Sequence, residues 1–108
     1  MITEHALLDV VEGREDEFVE AMDRAKEIIA ASPGFVSLRV ERGIERANRF
    51  LLLVEWERLE DHTEGFRGSG GYQDWREALH HFYDPFPLVE HFSSVVTRER
   101  SASPPARG

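Results

Sequence analysis

The chain of 108 residues has no cysteine. That excludes disulfides, thiolate nucleophiles and cysteine-bound metals, and it makes a reducing cytoplasm the expected location. Lysine is almost as scarce, with Lys26 standing alone. With a formal net charge of −8 and no basic stripe to offset it, the surface repels nucleic acid. No apolar run approaches the roughly 20 residues of a membrane span. The opening MITEHALLDV has neither a basic n-region nor a cleavage pattern, so no signal peptide is expected. No glycine motif for a dinucleotide is present. Gly68-Ser69-Gly70-Gly71 lacks a Walker lysine and does not follow a strand; it reads as a flexible hinge between two helices. His5, His62, His80, His81 and His91 form no His-Glu-x-x-His pattern or other close ligand spacing, so neither a metal nor a cofactor is expected.

What the chain does have is concentrated. Four of its five histidines, both tryptophans and both tyrosines fall between Trp56 and Phe92. A small core needs aromatics, but it does not need imidazoles gathered among them. Imidazole donates, accepts or relays a proton near neutral pH. Beside flat aromatic walls it points to a pocket for a small hydrophobic or aromatic molecule.

The length gives one domain, over about residues 1–97. Arg98 to Gly108, with two prolines and no apolar cluster, reads as a disordered tail. Ile2 to Val11 reads as a strand with Ala6, Leu8 and Val10 on an apolar face and His5, Leu7 and Asp9 on a mixed one. Phe18, Met22, Ala25 and Ile29 mark an amphipathic helix from about Arg14 to Ala31, ended by Ser32-Pro33-Gly34. Phe35 to Arg42 is a second strand. Phe50 to Glu57 is a third, apolar enough to predict burial on both faces. Helices of a two-layer domain cover one face of its sheet, so a second copy of the chain is the economical cover for the other.

Arg58 to Gly65 reads as a short helix with Leu59, His62 and Phe66 on one face, and Tyr72 to Tyr83 as a longer one. Asp84-Pro85-Phe86-Pro87 stops it, and Leu88 to Thr97 is the last strand. The order β-α-β-β-α-β predicts an α+β, ferredoxin-like antiparallel sheet with helices on one face.

Several of these segments resemble the antibiotic biosynthesis monooxygenase superfamily. They are the first strand leading into Gly13-Arg14-Glu15-x-x-Phe18, Ser32-Pro33-Gly34-Phe35, and Phe50-Leu51-Leu52-Leu53-Val54-Glu55-Trp56. Leu59-Glu60-Asp61-His62 and His80-His81-Phe82-Tyr83-Asp84-Pro85-Phe86-Pro87 continue the likeness. The resemblance covers about residues 3–97 and implies a homodimeric α+β barrel. It implies two chemistries: oxidation of a polyphenolic or quinone-like aromatic by dioxygen without a cofactor, or binding and cleavage of haem. It also leaves room for a non-catalytic dimer that holds a hydrophobic metabolite. Haem degraders of the family use a strand-one asparagine. Here the only asparagine is Asn48, in a connection.

The catalytic candidates are His62, His80 and Tyr83. A neutral imidazole at His62 can take the proton of a phenol, and the phenolate can then reduce dioxygen. The plainer alternative is a half-buried histidine bonded to a carbonyl or carboxylate. His80 borders the apolar helix face and is the better axial ligand if haem binds; His81, about 100° away, points elsewhere. Tyr83 can hydrogen-bond a substrate oxygen. Trp56, Phe66, Phe82 and Phe86 are the candidate substrate walls, with Trp56 expected at the cavity mouth. Ordinary core packing is the alternative for Phe82 and for Trp75.

Overall fold

The computed structural model describes residues 1–101, so the expected tail lies largely outside the described residues. Strand β1 (Ile2–Asp9) leads into helix α1 (Glu15–Ala30), then β2 (Phe35–Arg42) and β3 (Arg49–Trp56). A π-helical segment, Asp61–Phe66, precedes α2 (Gly70–Leu79), which runs on through a 3-10 turn, His80–Phe82, to β4 (Val89–Ser93). The sheet order is β2-β3-β1-β4, antiparallel throughout. The split β-α-β plan expected from the element order is therefore the observed one.

Alternation decides what each strand contributes. Glu4, Ala6 and Leu8 face the helices from β1, with Val10 just beyond it, as do Phe50, Leu52, Val54 and Trp56 from β3. Against them α1 buries Phe18, Met22, Ala25 and Ile29, spaced as an amphipathic helix requires. Phe18 and Phe50 rings meet at 4.9 Å, and each such side chain contributes about 1.5–3 kcal/mol by leaving water. Glu15, Asp16 and Glu17 occupy the first turn of α1, where the helix dipole favours them.

The other face of the sheet is only half covered. Along β3 fully buried residues alternate with half-buried Leu51 and Leu53, rather than being enclosed on both sides within one chain. Leu7 and Phe92, on the same outer face, are exposed.

Three expectations need correction. Gly68 to Gly71 connects helices only in part: Gly68 and Ser69 separate the π-helical segment from α2, while Gly70 and Gly71 form the first turn of α2 and Ser69 caps it, its Oγ accepting from the Tyr72 N–H at 3.3 Å. The helix expected to reach Tyr83 ends at Leu79, where the chain tightens before Asp84-Pro85. The last strand is five residues, not ten, because its ladder with β1 ends at the Ile2–Ser93 pair; Val95 and Val96 beyond it are exposed.

Candidate active site

One charged group sits on the helix-facing side of β1. Glu4 shares its parity with Ala6 and Leu8 and is 5% exposed. Strand register surrounds it: His91 of β4 lies directly opposite Glu4, and Trp56 of β3 pairs with Ile2, two residues away on the same face. Trp56 Nε1 donates to Glu4 Oε1 at 3.0 Å. The third neighbour comes from above the sheet. His62 Nε2 lies 3.3 Å from the same Glu4 oxygen, and its Nδ1 lies 2.7 Å from His91 Nε2. The His62 ring stacks on Trp56 at 5.4 Å and 18°.

The π-helical segment aims His62. Its wide turn, closed by Arg67 N–H to His62 O at 3.1 Å, brings His62 and Phe66 together on the buried side. Leu59 precedes the segment and is 38% exposed, so it does not share their face as an α-helical wheel predicts. The segment is fixed at its start by Asp61, whose Oδ2 accepts from the Arg58 N–H. Gly34 lies against that carboxylate with φ +85°, and a Cβ there would run into the Asp61 side chain.

A cavity of about 300 Å³ opens beside this cluster. Glu4, His62, Phe66 and Arg67 line one part of it; Tyr72, Trp75, His80, Tyr83 and Phe86 line another. Tyr83 is held there by backbone pairing: Val10 bridges to Tyr83, and the Val11 N–H donates to Phe82 O at 2.8 Å. Of the residues expected from the sequence, His62, His80, Tyr83, Phe66 and Phe86 therefore meet at one cavity. Trp56 does not reach its mouth; it is fully buried behind His62, as the donor to Glu4. Phe82 faces the core instead, 5.8 Å from Phe18 and beneath the Arg14 guanidinium. His81 is exposed.

Burial sets the protonation of these groups. It raises Glu4 above the ordinary carboxylate range, against the Trp56 hydrogen bond and the Arg67 charge, which pull the other way. It lowers His62 to about 3, helped by Arg67 and His91, so this imidazole is neutral at pH 7. His91 is lowered by burial and Arg67, and His80 by burial and Arg76. Tyr83 is raised by burial, Tyr72 and Glu4, which keeps its hydroxyl a donor. The basic group of the site is thus Glu4. His62 resists a net positive charge but can pass a proton between its two nitrogens.

Sequence reasoning missed Glu4 and His91. Continuing the Ala6, Leu8, Val10 alternation one step back places Glu4 on the buried face, a signal that was available. His91 needs the β1–β4 register, which alternation alone does not give.

The sequence matches the antibiotic biosynthesis monooxygenase family over residues 1–78, and the chain belongs to that family. An uncharacterised Bacillus subtilis protein, YczJ, is 50% identical over 95 residues, which are 88% of this chain and 100% of YczJ. A Bordetella bronchiseptica protein assigned to the antibiotic biosynthesis monooxygenases has a TM-score of 0.84 and 30% identity, over 88% of this chain and 97% of that one. SnoaB of Streptomyces nogalater, a cofactor-independent oxygenase, has a TM-score of 0.74 at 21% identity, over 89% of this chain and 94% of its own. At that identity SnoaB shares the fold.

Proposed function

We propose that the protein is a cofactor-independent monooxygenase acting on a small hydroxylated, quinone-forming aromatic. The observation that carries this reading is a buried carboxyl group, Glu4, with a neutral imidazole, His62, 3.3 Å away at the wall of an aromatic cavity. Family membership and the SnoaB-like fold support it.

The chemistry needs a base first. The phenolic proton of the bound substrate passes to Glu4, whose raised pKa brings it nearer that task. The phenolate gives one electron to dioxygen, and the radical pair combines at the ring carbon that carries the C–H bond to be oxidised. The peroxide so formed recovers its proton from Glu4. Loss of water, using that carbon's hydrogen, leaves a ketone. One oxygen atom ends in product and one in water; the two electrons come from the substrate. Phe66 and Phe86 pack the ring, and the Tyr83 hydroxyl donates to a substrate oxygen.

The second copy belongs to this reading. The half-covered outer face, with Leu7, Leu51, Leu53 and Phe92, is the surface on which a homodimer forms. Turnover of a hydroxyanthrone under ¹⁸O₂ tests the function: one labelled atom per product molecule, without added flavin or metal, is expected. A product free of label would overturn it.

A further inference from the structure

The Glu4–His62–His91 chain does more than hold a base in place. Glu4 and His62 are sealed, at 5% and 3% exposure, whereas His91 on the edge strand β4 is half-buried. The contacts are continuous from the cavity wall outwards: Glu4 Oε1 to His62 Nε2 at 3.3 Å, then His62 Nδ1 to His91 Nε2 at 2.7 Å. Each contact needs one hydrogen, and a neutral imidazole carries one. This leaves two self-consistent arrangements. With Glu4 ionised, His62 donates from Nε2 to the carboxylate and accepts at Nδ1 from His91 Nε2–H. With Glu4 protonated, the acid donates to His62 Nε2, and His62 Nδ1–H donates to His91 Nε2. The two differ by one proton, and neither contains an imidazolium.

We infer that His91 is the solvent end of a proton relay that loads and unloads Glu4 from outside the substrate cavity, with His62 changing tautomer at each passage. Loading starts when water delivers a proton to His91 Nδ1. His91 Nε2–H moves to His62 Nδ1, and His62 Nε2–H moves to the Glu4 carboxylate. Unloading is the reverse and returns one proton to water. Trp56 Nε1 donates to Glu4 Oε1 throughout and holds the carboxylate in line. The stack of His62 on Trp56 keeps the ring from turning over, so protons move while the ring stays. Arg67, the cation that acts on all three members, opposes an imidazolium at either histidine. Tyr83 is the other titratable group that senses Glu4, and it stays a neutral donor. The relay lets Glu4 reach its ionised state while substrate already fills the cavity; the proton it then takes from the phenol is the one returned to the peroxide.

The catalytic use of this relay rests on the oxygenase reading; the relay itself does not, so its test needs no turnover. In the protein with ¹⁵N-labelled histidine, imidazole nitrogen shifts of His62 are followed from pH 8 downwards. The expected result is inversion from the Nε2–H to the Nδ1–H tautomer as Glu4 takes up its proton, with no imidazolium, and loss of the inversion in Glu4→Gln. A single His62 tautomer throughout, or an imidazolium before any inversion, would overturn the relay. The second arm is His91→Gln, which keeps a hydrogen-bonding group but cannot pass a proton. It should slow the exchange between the two His62 states while leaving the fold intact. Unchanged exchange in a folded His91→Gln protein would overturn the role of His91. Absent turnover with an intact inversion would count against the oxygenase reading alone.

Discussion

The indole of Trp56 donates its one hydrogen to the Glu4 carboxylate at 3.0 Å, with both side chains buried on the helix-facing side of the sheet. A tryptophan that looks, in sequence, like the end of an apolar strand is thus the support of the only charged group on that face of β1. Replacing it with phenylalanine keeps the ring stacked on His62 but leaves the carboxylate one donor short. Trp56→Phe should cost about 1–3 kcal/mol, read as a lower urea midpoint with an unchanged slope. An unchanged midpoint would mean the hydrogen bond adds nothing.

Stability should depend on pH in two opposing ways. His62, held near 3 against an ordinary 6.5, stays neutral in the folded protein while the unfolded chain takes up its proton. Stability is therefore lost as pH falls from about 6.5 towards 3, and lowered His80 and His91 act in the same direction. Glu4, raised above 4.5, works the other way: its ionisation in the folded state lowers stability as pH rises past that value. Urea midpoints across this range should show a shallower acid limb in His62→Gln. Glu4→Gln should gain on the parent protein above pH 4.5 and lose that gain below it. Parallel curves for all three proteins would contradict these shifts.

Two glycines with positive φ make an internal comparison. Gly13, at φ +91°, has open space where a Cβ would be, while Gly34, at φ +85°, faces the Asp61 side chain. Gly13→Ala should cost about 1 kcal/mol from backbone strain alone. Gly34→Ala should cost more and displace the segment that carries His62. Calorimetry on the two variants checks the order; equal losses would remove Gly34 from the site's support.

Leu53 distinguishes the interface from the core. It lies on the outer face of β3, half-buried, opposite His5 and Arg39 in the ladders. Leu53→Asp should give a folded monomer, whereas the parent should sediment as a dimer. A monomeric parent at micromolar concentration would end the dimer proposal, and an unfolded variant would place Leu53 in the core.

The architecture was legible because periodicity is local. Phe18, Met22, Ala25 and Ile29 announce α1 without knowledge of the rest, and the β-α-β-β-α-β order then restricts the sheet. The cavity was half legible: aromatic and imidazole residues clustered in one stretch, and five of the seven named ones meet there. The remainder depended on register and on an irregular turn. Glu4 meets His91 only because β1 and β4 pair with those two opposite each other. Leu59 was misplaced because the wheel assumed 100° per residue through a segment that widens into a π-turn. The place of Trp56 at the end of the apolar strand points to the mouth of the cavity; its indole N–H reaches Glu4 instead.

Oxygen uptake with a panel of hydroxyanthrones and hydroquinones tests the central claim most directly. The parent protein should consume oxygen without any added cofactor. Glu4→Gln should lose about 10²-fold or more, the least that proton abstraction typically contributes. His62→Ala should fall by a similar factor and recover partly at high pH, where the phenol ionises unaided. Exposed His81→Ala should match the parent. Full activity in Glu4→Gln, or panel compounds that bind the parent without oxygen uptake, would contradict the account.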